Sequence, residues 1–561
     1  MSSESVQSGV AEAILKALKI AVDSKTILCA IPEKLTLERP KNRDHGDYAT
    51  SIALALAKQA NSQPRVIAQV IIDCLNDNDL LLPAGITKVE IAGPGFINIT
   101  LDSASQAASI IKIISLGSKY GTSNLLDGKK INLEFVSANP TGPLHLGHTR
   151  WAAVGDSLGR VLSAAGAEVT REFYVNDRGN QMDLFGASIR AAALNQPRPE
   201  DGYHGAYIEE LAKAIVKAHP TFTSLPEVES ISAFRDAGYK LQLDEQNRVL
   251  NNFGTHFDIW FSEKSLYENN FFDYSMQKLR SQGHVYQQDG ATWLRTTDFG
   301  DDKDRVMIKS DGSFAYFASD SAYYVSKKER GFNLCIYMLG ADHHGYVGRI
   351  KALAACAGDN PDSDVEVLIG QMVKIIEGGE ELKLSKRAGT IITLEELVEK
   401  VGKDAARYTL IRYPTDTPMV MDVDLLRKNT NDNPVYYVQY AHARICAVLR
   451  NAKELGIKSD VNDFKPELLV HERERELIGL LAEFPRVVAS AAEMREPHRV
   501  ARYIEELAGQ YHRFYNDCRV LPLGDEKPTD LNSSRAILCQ ATAQVISNGL
   551  DLLGVSAPEK M

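Results

Sequence analysis

The chain has 561 residues, 44% hydrophobic and 24% charged, with 63 Lys and Arg against 74 Asp and Glu and a formal net charge of −11. That is ordinary globular composition for several domains; it excludes a uniformly basic nucleic-acid coat but leaves local basic patches free to meet RNA or DNA. Mean hydropathy is −0.22, and no apolar run approaches the roughly 18–20 residues of a membrane helix. The first twenty residues lack a basic segment followed by an apolar block, so no export signal is read. Seven scattered cysteines without a CxxC pair argue against a disulfide framework or a cysteine zinc site, and for a reducing cytoplasm.

In chain order, Val10, Ile14, Leu15 and Leu18 recur at helical spacing, as do the apolar residues of 50–75. VEIAGPGFINITL at 89–101 reads as strand, Gly-Pro-Gly turn and strand, closing an α+β unit over 1–115. INLEFVSA then predicts a buried strand, ANPTGP breaks it, and a long amphipathic helix is expected from about 145 to 165. The stretch from about 190 to 290 reads as a polar helical insertion between two sheet halves. Sheet signals return at NLCIYMLGADHH and VEVLIGQMVKII, so 116–376 is one α/β unit. A glycine-flanked, lysine-rich loop and connector occupy 377–425, and 426–561 is expected to be all helical.

Two short strings carry the chemistry. HLGH at 145–148 opens the predicted helix, where free N–H groups and the helix dipole favour an anion. His145 and His148, three apart, share a helical face, and Gly142 and Gly147 let a ligand approach the backbone. By spacing alone the pair also fits a chance surface pair, or zinc ligands joined by Asp342, His343 and His344. KLSKR at 383–387 places two lysines three apart beside Gly378, Gly379 and Gly389. That pattern suits a solvated loop, or a cationic one that closes over a triphosphate.

Together HLGH and KLSKR resemble the two signature motifs of class I aminoacyl-tRNA synthetases. EFVSANPTGPLHLGH, YVNDRGNQMD, the SFAYFASD run, GADHHGY, RPKNRDHGDYATSIALALAK, GPGFINITL and DNPVYYVQYAHAR resemble the arginyl-tRNA synthetase family, in order and nearly end to end. The resemblance implies a Rossmann-like parallel-sheet catalytic domain with an N-terminal α+β domain that touches the tRNA elbow. It also implies a C-terminal all-helical anticodon-binding domain. The implied reaction joins arginine to ATP as arginyl-adenylate, releases pyrophosphate, and passes arginine to the terminal ribose of tRNA. Such a reaction needs positioning and charge neutralisation rather than a dedicated general base, because the attacking carboxylate is already ionised.

By motif, His145, His148, Lys383 and Lys386 take the catalytic roles. Pro143, Gly147, Gly340, Asp342 and Ser385 join them around ATP, which brings Mg²⁺ with it; no zinc is expected. Asp342 follows an apolar strand and suits the ribose hydroxyls, or else a helix cap. Glu134 sits inside an apolar strand, where an unpaired carboxylate is costly and calls for a cation. Tyr316 and Asp320, four apart, are aimed by helical spacing at one target. The resemblance assigns Tyr316 and Asp320 to the substrate guanidinium with Glu134 assisting. It gives Ser137, Asn139 and His148 the α-amino and carboxylate end. His343 joins this pocket where some relatives carry glutamine.

In the terminal domain Arg499, Arg502, Arg513 and Arg519 interleave with Tyr503, Tyr511, Phe514 and Tyr515. That is the composition of an RNA-stacking face, or of an ordinary helix with buried aromatics. The implied partners are L-arginine, ATP and a cognate tRNA, with no membrane; a monomer is expected. The competing classes are a small-molecule nucleotidyltransferase, a non-catalytic RNA-binding paralogue and a metal hydrolase.

Overall fold

The computed structural model describes residues 6–40, 45–268, 271–382 and 392–561. In the N-terminal unit, α1 (Val6–Asp23), α2 (Ile52–Leu56) and α3 (Pro64–Asp77) pack against β1 (Tyr48–Thr50), β2 (Ile86–Ala92) and β3 (Phe96–Leu101), an antiparallel sheet of order β1-β3-β2. Val10, Ile14 and Leu18, read from their spacing as one face, are fully buried in this core. The β2–β3 hairpin is the strand–turn–strand expected at 89–101. Gly95 there has φ +142, and a Cβ on it would meet Pro64 at 2.7 Å, so only glycine fits. This core closes at Leu101; α4 (Ser103–Leu116) sends Ile110 and Ile113 into the larger core of the remaining chain.

That larger core is built on β4 (Lys130–Glu134), α5 (Leu146–Ala164) and β5 (Glu168–Val175). Helices α6 (Asn180–Ala193), α7 (Ala206–Ala218) and α8 (Glu227–Phe253) follow, closing on their own core around Phe185, Ile189, Ile208 and Phe234. Next come β6 (Ile259–Ser262), α9 (Ser265–Glu268), α10 (Phe271–Ser281), and an antiparallel sheet of β7 (Val285–Gln288), β8 (Ala291–Leu294) and β9 (Arg305–Ile308). Then α11 (Tyr316–Glu329), β10 (Leu334–Gly340), α12 (Tyr346–Cys356) and β11 (Val365–Gly370) complete the unit.

The main sheet has five strands in the order β11-β10-β4-β5-β6, every pair parallel. The chain leaves β4 toward β5 and β6, then returns to add β10 and β11 on the other side. The crevice between the C-terminal ends of β4 and β10 is therefore the topological switch point, where ligands bind in open α/β sheets. Two features depart from the expected helical insertion. Ile259–Ser262 is the edge strand of the main sheet, and β7–β9 form a separate small sheet whose first strand begins inside the stretch. Strands of four residues are too short for a period to show against neighbouring helices.

Beyond the sheet lie β12 (Val373–Glu377), β13 (Glu380–Glu381), α13 (Leu394–Val401), α14 (Lys403–Ile411), β14 (Met419–Asp422) and α15 (Val423–Leu426). The last domain is α16 (Pro434–Glu454), α17 (Glu472–Ala482), α18 (Phe484–Glu493), α19 (His498–Asp517) and α20 (Asp530–Leu552), with no strand among its described residues, as the sequence predicts. It shares its core with the α/β unit. Tyr120 donates to the Leu481 carbonyl at 3.0 Å, and buried Arg407 on α14 binds Asp156 of α5 and the carbonyls of Phe253 and Leu553. No helix among the described residues is long and apolar enough to cross a membrane.

Candidate active site at the sheet's switch point

A cleft of about 560 Å³ opens at the switch point. Glu134 and Ser137 line it from the end of β4, and His145, Gly147 and His148 from the start of α5. Asp320 reaches it from α11, and Gly340, Asp342 and His343 from the end of β10. Most residues the sequence singled out thus meet in one place. Asn139 is exposed beside the cleft, its amide donating to Gln181 at 2.9 Å, and Tyr316 is 95% exposed and outside the lining set. Helical spacing did not bring Tyr316 and Asp320 to one wall: Tyr316 is the first residue of α11 and stands in solvent. Lys383, Ser385 and Lys386 lie outside the described residues. Pro143 precedes α5 in the loop whose Asn139 and Gly142 carbonyls both accept from buried Gln246, so α8 of the helical insertion props that loop.

The two histidines form a reciprocal cap. The Gly147 N–H donates to His145 Nδ1 at 3.1 Å, and the His145 N–H points to His148 Nδ1 at 3.4 Å, with the ring centroids 4.1 Å apart. A neutral imidazole whose Nδ1 accepts carries its proton on Nε2. Both rings thus present an Nε2–H donor, and among the described residues no three His, Cys, Asp or Glu side chains gather to hold a metal.

The loop after β4 is strained. Val136 and Ser137 have φ of 69° and 42°, and a β-branched residue there is a genuine outlier of the kind that persists where surrounding contacts over-determine it. Ser137 supplies such contacts: its Oγ donates to Glu134 at 3.2 Å and accepts from the Tyr174 N–H at 3.1 Å.

The acidic end of the cleft has two centres. Glu134 bonds Lys327, which is fully buried, at 2.5 Å, so the cation its position called for comes from within the protein. Asp320 has no such partner at bonding distance among the described residues. Burial and then Glu263 push its carboxyl up to about 7, against the pull of Arg349. Glu263, just after β6, neighbours Asp320 without being among the residues that line the cleft, and sequence reasoning did not single it out. Burial raises its carboxyl as well, while the hydroxyls of Tyr174 and Ser319 donate to it and Arg178 stands near. Its one signal was an acidic residue just after a short aromatic strand, inside a stretch read as helical.

The segments flanking the lysine loop are tied to the histidine turn. Leu382 donates to Ile375 of β12, Thr393 bridges to His145, and the Leu394 N–H donates to the Leu144 carbonyl at 2.9 Å. Arg150, one turn along α5 and buried, donates to the carbonyls of Gln371, Pro414 and Thr417, which carry the strands beside that loop.

A parallel sheet with an HxGH helix cap at its switch point, followed by a helical domain, is the architecture of a class I aminoacyl-tRNA synthetase. The family model "tRNA synthetases class I (R), catalytic domain" matches residues 109–444. "Arginyl tRNA synthetase N terminal domain" matches 6–101, and "DALR anticodon binding domain" matches 438–561. A Campylobacter jejuni structure described as an arginyl-tRNA synthetase is 31% identical over 82% of this chain and 100% of its own, with a TM-score of 0.74. Two more remote structures share the fold: the Thermus thermophilus arginyl-tRNA synthetase (22% identity, 98% of this chain and 99% of that one, TM-score 0.75) and the Plasmodium falciparum arginyl-tRNA synthetase (17%, 100% of both, 0.74). The chain belongs to the arginyl-tRNA synthetase family. Its activity is that of an arginine–tRNA ligase, which uses ATP to join arginine to tRNA.

Proposed function

We propose that the switch-point cleft carries out both half-reactions, with the residues in the following roles. Arginine enters with its guanidinium toward Asp320 and Glu263, and Tyr316 folds down over it from the head of α11. Glu134 assists there, the α-amino and carboxylate end lies toward Ser137, Asn139 and His148, and His343 borders the same pocket. The α-carboxylate attacks the α-phosphorus of ATP in line; a carboxyl–phosphorus bond forms as the bond to pyrophosphate breaks, and no proton need move. Nε2–H groups of His145 and His148 donate to phosphate oxygens whose charge grows in the transition state. Lys383 and Lys386 neutralise the departing pyrophosphate, with Ser385 beside them. Pro143, Gly147 and Gly340 let the nucleotide approach the backbone, and Asp342 accepts from the ribose hydroxyls. Mg²⁺ arrives as part of the ATP substrate, held by phosphate oxygens and water. In the second step a ribose hydroxyl at the tRNA end attacks the acyl carbon, AMP leaves with the bonding electrons, and the hydroxyl proton passes to the leaving phosphate.

The observation that carries this reading is the pairing of Thr393 and Leu394 with the HLGH turn, which ties the chain just beyond KLSKR to the imidazole pair. The helical domain reads the anticodon loop, the N-terminal unit touches the tRNA elbow, and the protein works as a cytoplasmic monomer. The test is charging of total tRNA resolved by amino acid, with arginine-dependent pyrophosphate exchange measured with and without tRNA. Arginine alone should be charged; exchange absent in both conditions from folded protein would refute the reading.

A further inference from the structure

The buried lysine beneath the cleft has no role in that scheme. Lys327 lies seven residues, two helical turns, after Asp320, so α11 presents a carboxylate to the cleft and an ammonium below it from one face. Its Nζ meets Glu134 Oε2 at 2.5 Å and is otherwise enclosed by the rings of Tyr337 and Tyr323, 3.9 and 4.3 Å from their centroids. The aromatic faces hold the ammonium without competing for the carboxylate. Tyr323 passes the arrangement on, donating to Glu172 at 2.5 Å, and Arg330 grips Glu172 with both terminal nitrogens. Burial alone would raise the Glu172 carboxyl, but Arg330, Lys327 and Tyr323 hold it below its ordinary value. Charges therefore alternate from the cleft inward: Glu134, Lys327, Glu172, Arg330. This set sums to zero through direct contacts before any substrate enters, whereas Arg349 and Arg178 act on Asp320 and Glu263 only through space.

We propose that Lys327 is a positioning residue for the amino-acid site. It fixes Glu134 by one oxygen and balances its charge, so that Glu134 acts as an oriented hydrogen-bond acceptor while Asp320 and Glu263 neutralise the guanidinium. This rests on the reading of the cleft as the arginine site. It shifts Glu134 from assisting the guanidinium to orienting the amino acid. It also implies that removing Glu134 alone is worse than removing the pair, because an unpartnered buried ammonium then faces a cationic substrate.

The experiment is a double-mutant cycle on the full-length protein, measured by steady-state tRNA charging with arginine varied and then ATP varied. Glu134→Gln should raise the arginine KM about 100-fold, and Lys327→Met about 10-fold, with the ATP KM unchanged. The double variant Glu134→Gln/Lys327→Met should bind arginine about 10-fold better than Glu134→Gln alone. The double variant removes both charges and is the one expected to fold even if Lys327→Met does not. Additive effects, or losses confined to kcat in step with the folded fraction, would overturn the proposal and leave Lys327 a purely structural residue. Wild-type enzyme that shows no saturable arginine dependence would instead overturn the underlying site assignment.

Discussion

Among the described residues two side chains are fully buried cations, Lys327 and Arg407, and they differ in what surrounds them. Arg407 is enclosed on every side by fixed acceptors: Asp156 at 2.6 Å, the Leu553 and Phe253 carbonyls at 3.1 Å, and the Thr255 hydroxyl at 3.3 Å. Burial depresses its guanidinium, and Asp156 offsets this. It fastens α5, the end of α8 and the end of α20 to one another. Lys327 also has one carboxylate partner, but that partner looks outward into the cleft. A buried cation ringed by backbone carbonyls fastens architecture, whereas one that holds a cleft-facing carboxylate sets the chemistry of a site.

The comparison is open to attack at several points. The largest effect should come from Asp320→Ala: kcat/KM for arginine should fall by about 10⁴-fold, since a site built around a charged donor loses nearly all discrimination without its acceptor. Thermal unfolding should change little, and an unaltered kcat/KM would remove Asp320 from the site. Next in size, Arg407→Met should cost about 1–3 kcal/mol of unfolding free energy by leaving the buried Phe253 and Leu553 carbonyls without their donor, Asp156 keeping Arg160 at 2.9 Å, while the arginine KM of the folded fraction stays unchanged. Denaturant titration beside initial-rate kinetics checks both halves; a large KM change would erase the distinction between the two cations. Gly554→Ala strikes the same junction from the other side, because its φ of +66° and the Arg407 guanidinium against it leave no room for a Cβ.

His148→Ala should slow adenylate formation by about 10²–10³-fold, as loss of one transition-state donor does, with arginine binding in equilibrium titrations far less affected. The smallest effect is one of pH. The Asp320 carboxyl is pushed up to about 7 in the free protein, and a bound guanidinium favours the ionised form, so binding expels a proton below that value. Apparent arginine affinity should fall about tenfold per pH unit below about 7 and level off above it, and Asp320→Asn should flatten the profile. The same raised carboxyl makes the ligand-free native state bind more protons than the unfolded chain between about 4 and about 7. Its contribution to stability therefore declines as pH rises through that window.

Much of the site was legible because the reaction constrains short strings. An HxGH turn at a strand–helix junction needs only local geometry, and the structure adds the reciprocal His145–His148 cap, which three-residue spacing permits. Glu134 was legible in part: its apolar setting demanded a cation, but which one lay 193 residues away, beyond the reach of any local pattern. Tyr316 shows what spacing leaves open, since the four-residue rule places side chains on one helical face without fixing which of them line a cleft.

Within the strings themselves, the sequence alone determined the family, the order of domains, the histidine turn and the hairpin near the start. Each of these rests on local conformational preference or a contiguous motif. Tertiary structure decided that Ile259–Ser262 joins the main sheet, that Glu263 neighbours Asp320, and that Lys327 pairs with Glu134. Those outcomes depend on which distant charges share a dry space, and Coulombic and desolvation energies are set by three-dimensional distance and burial rather than by position along the chain.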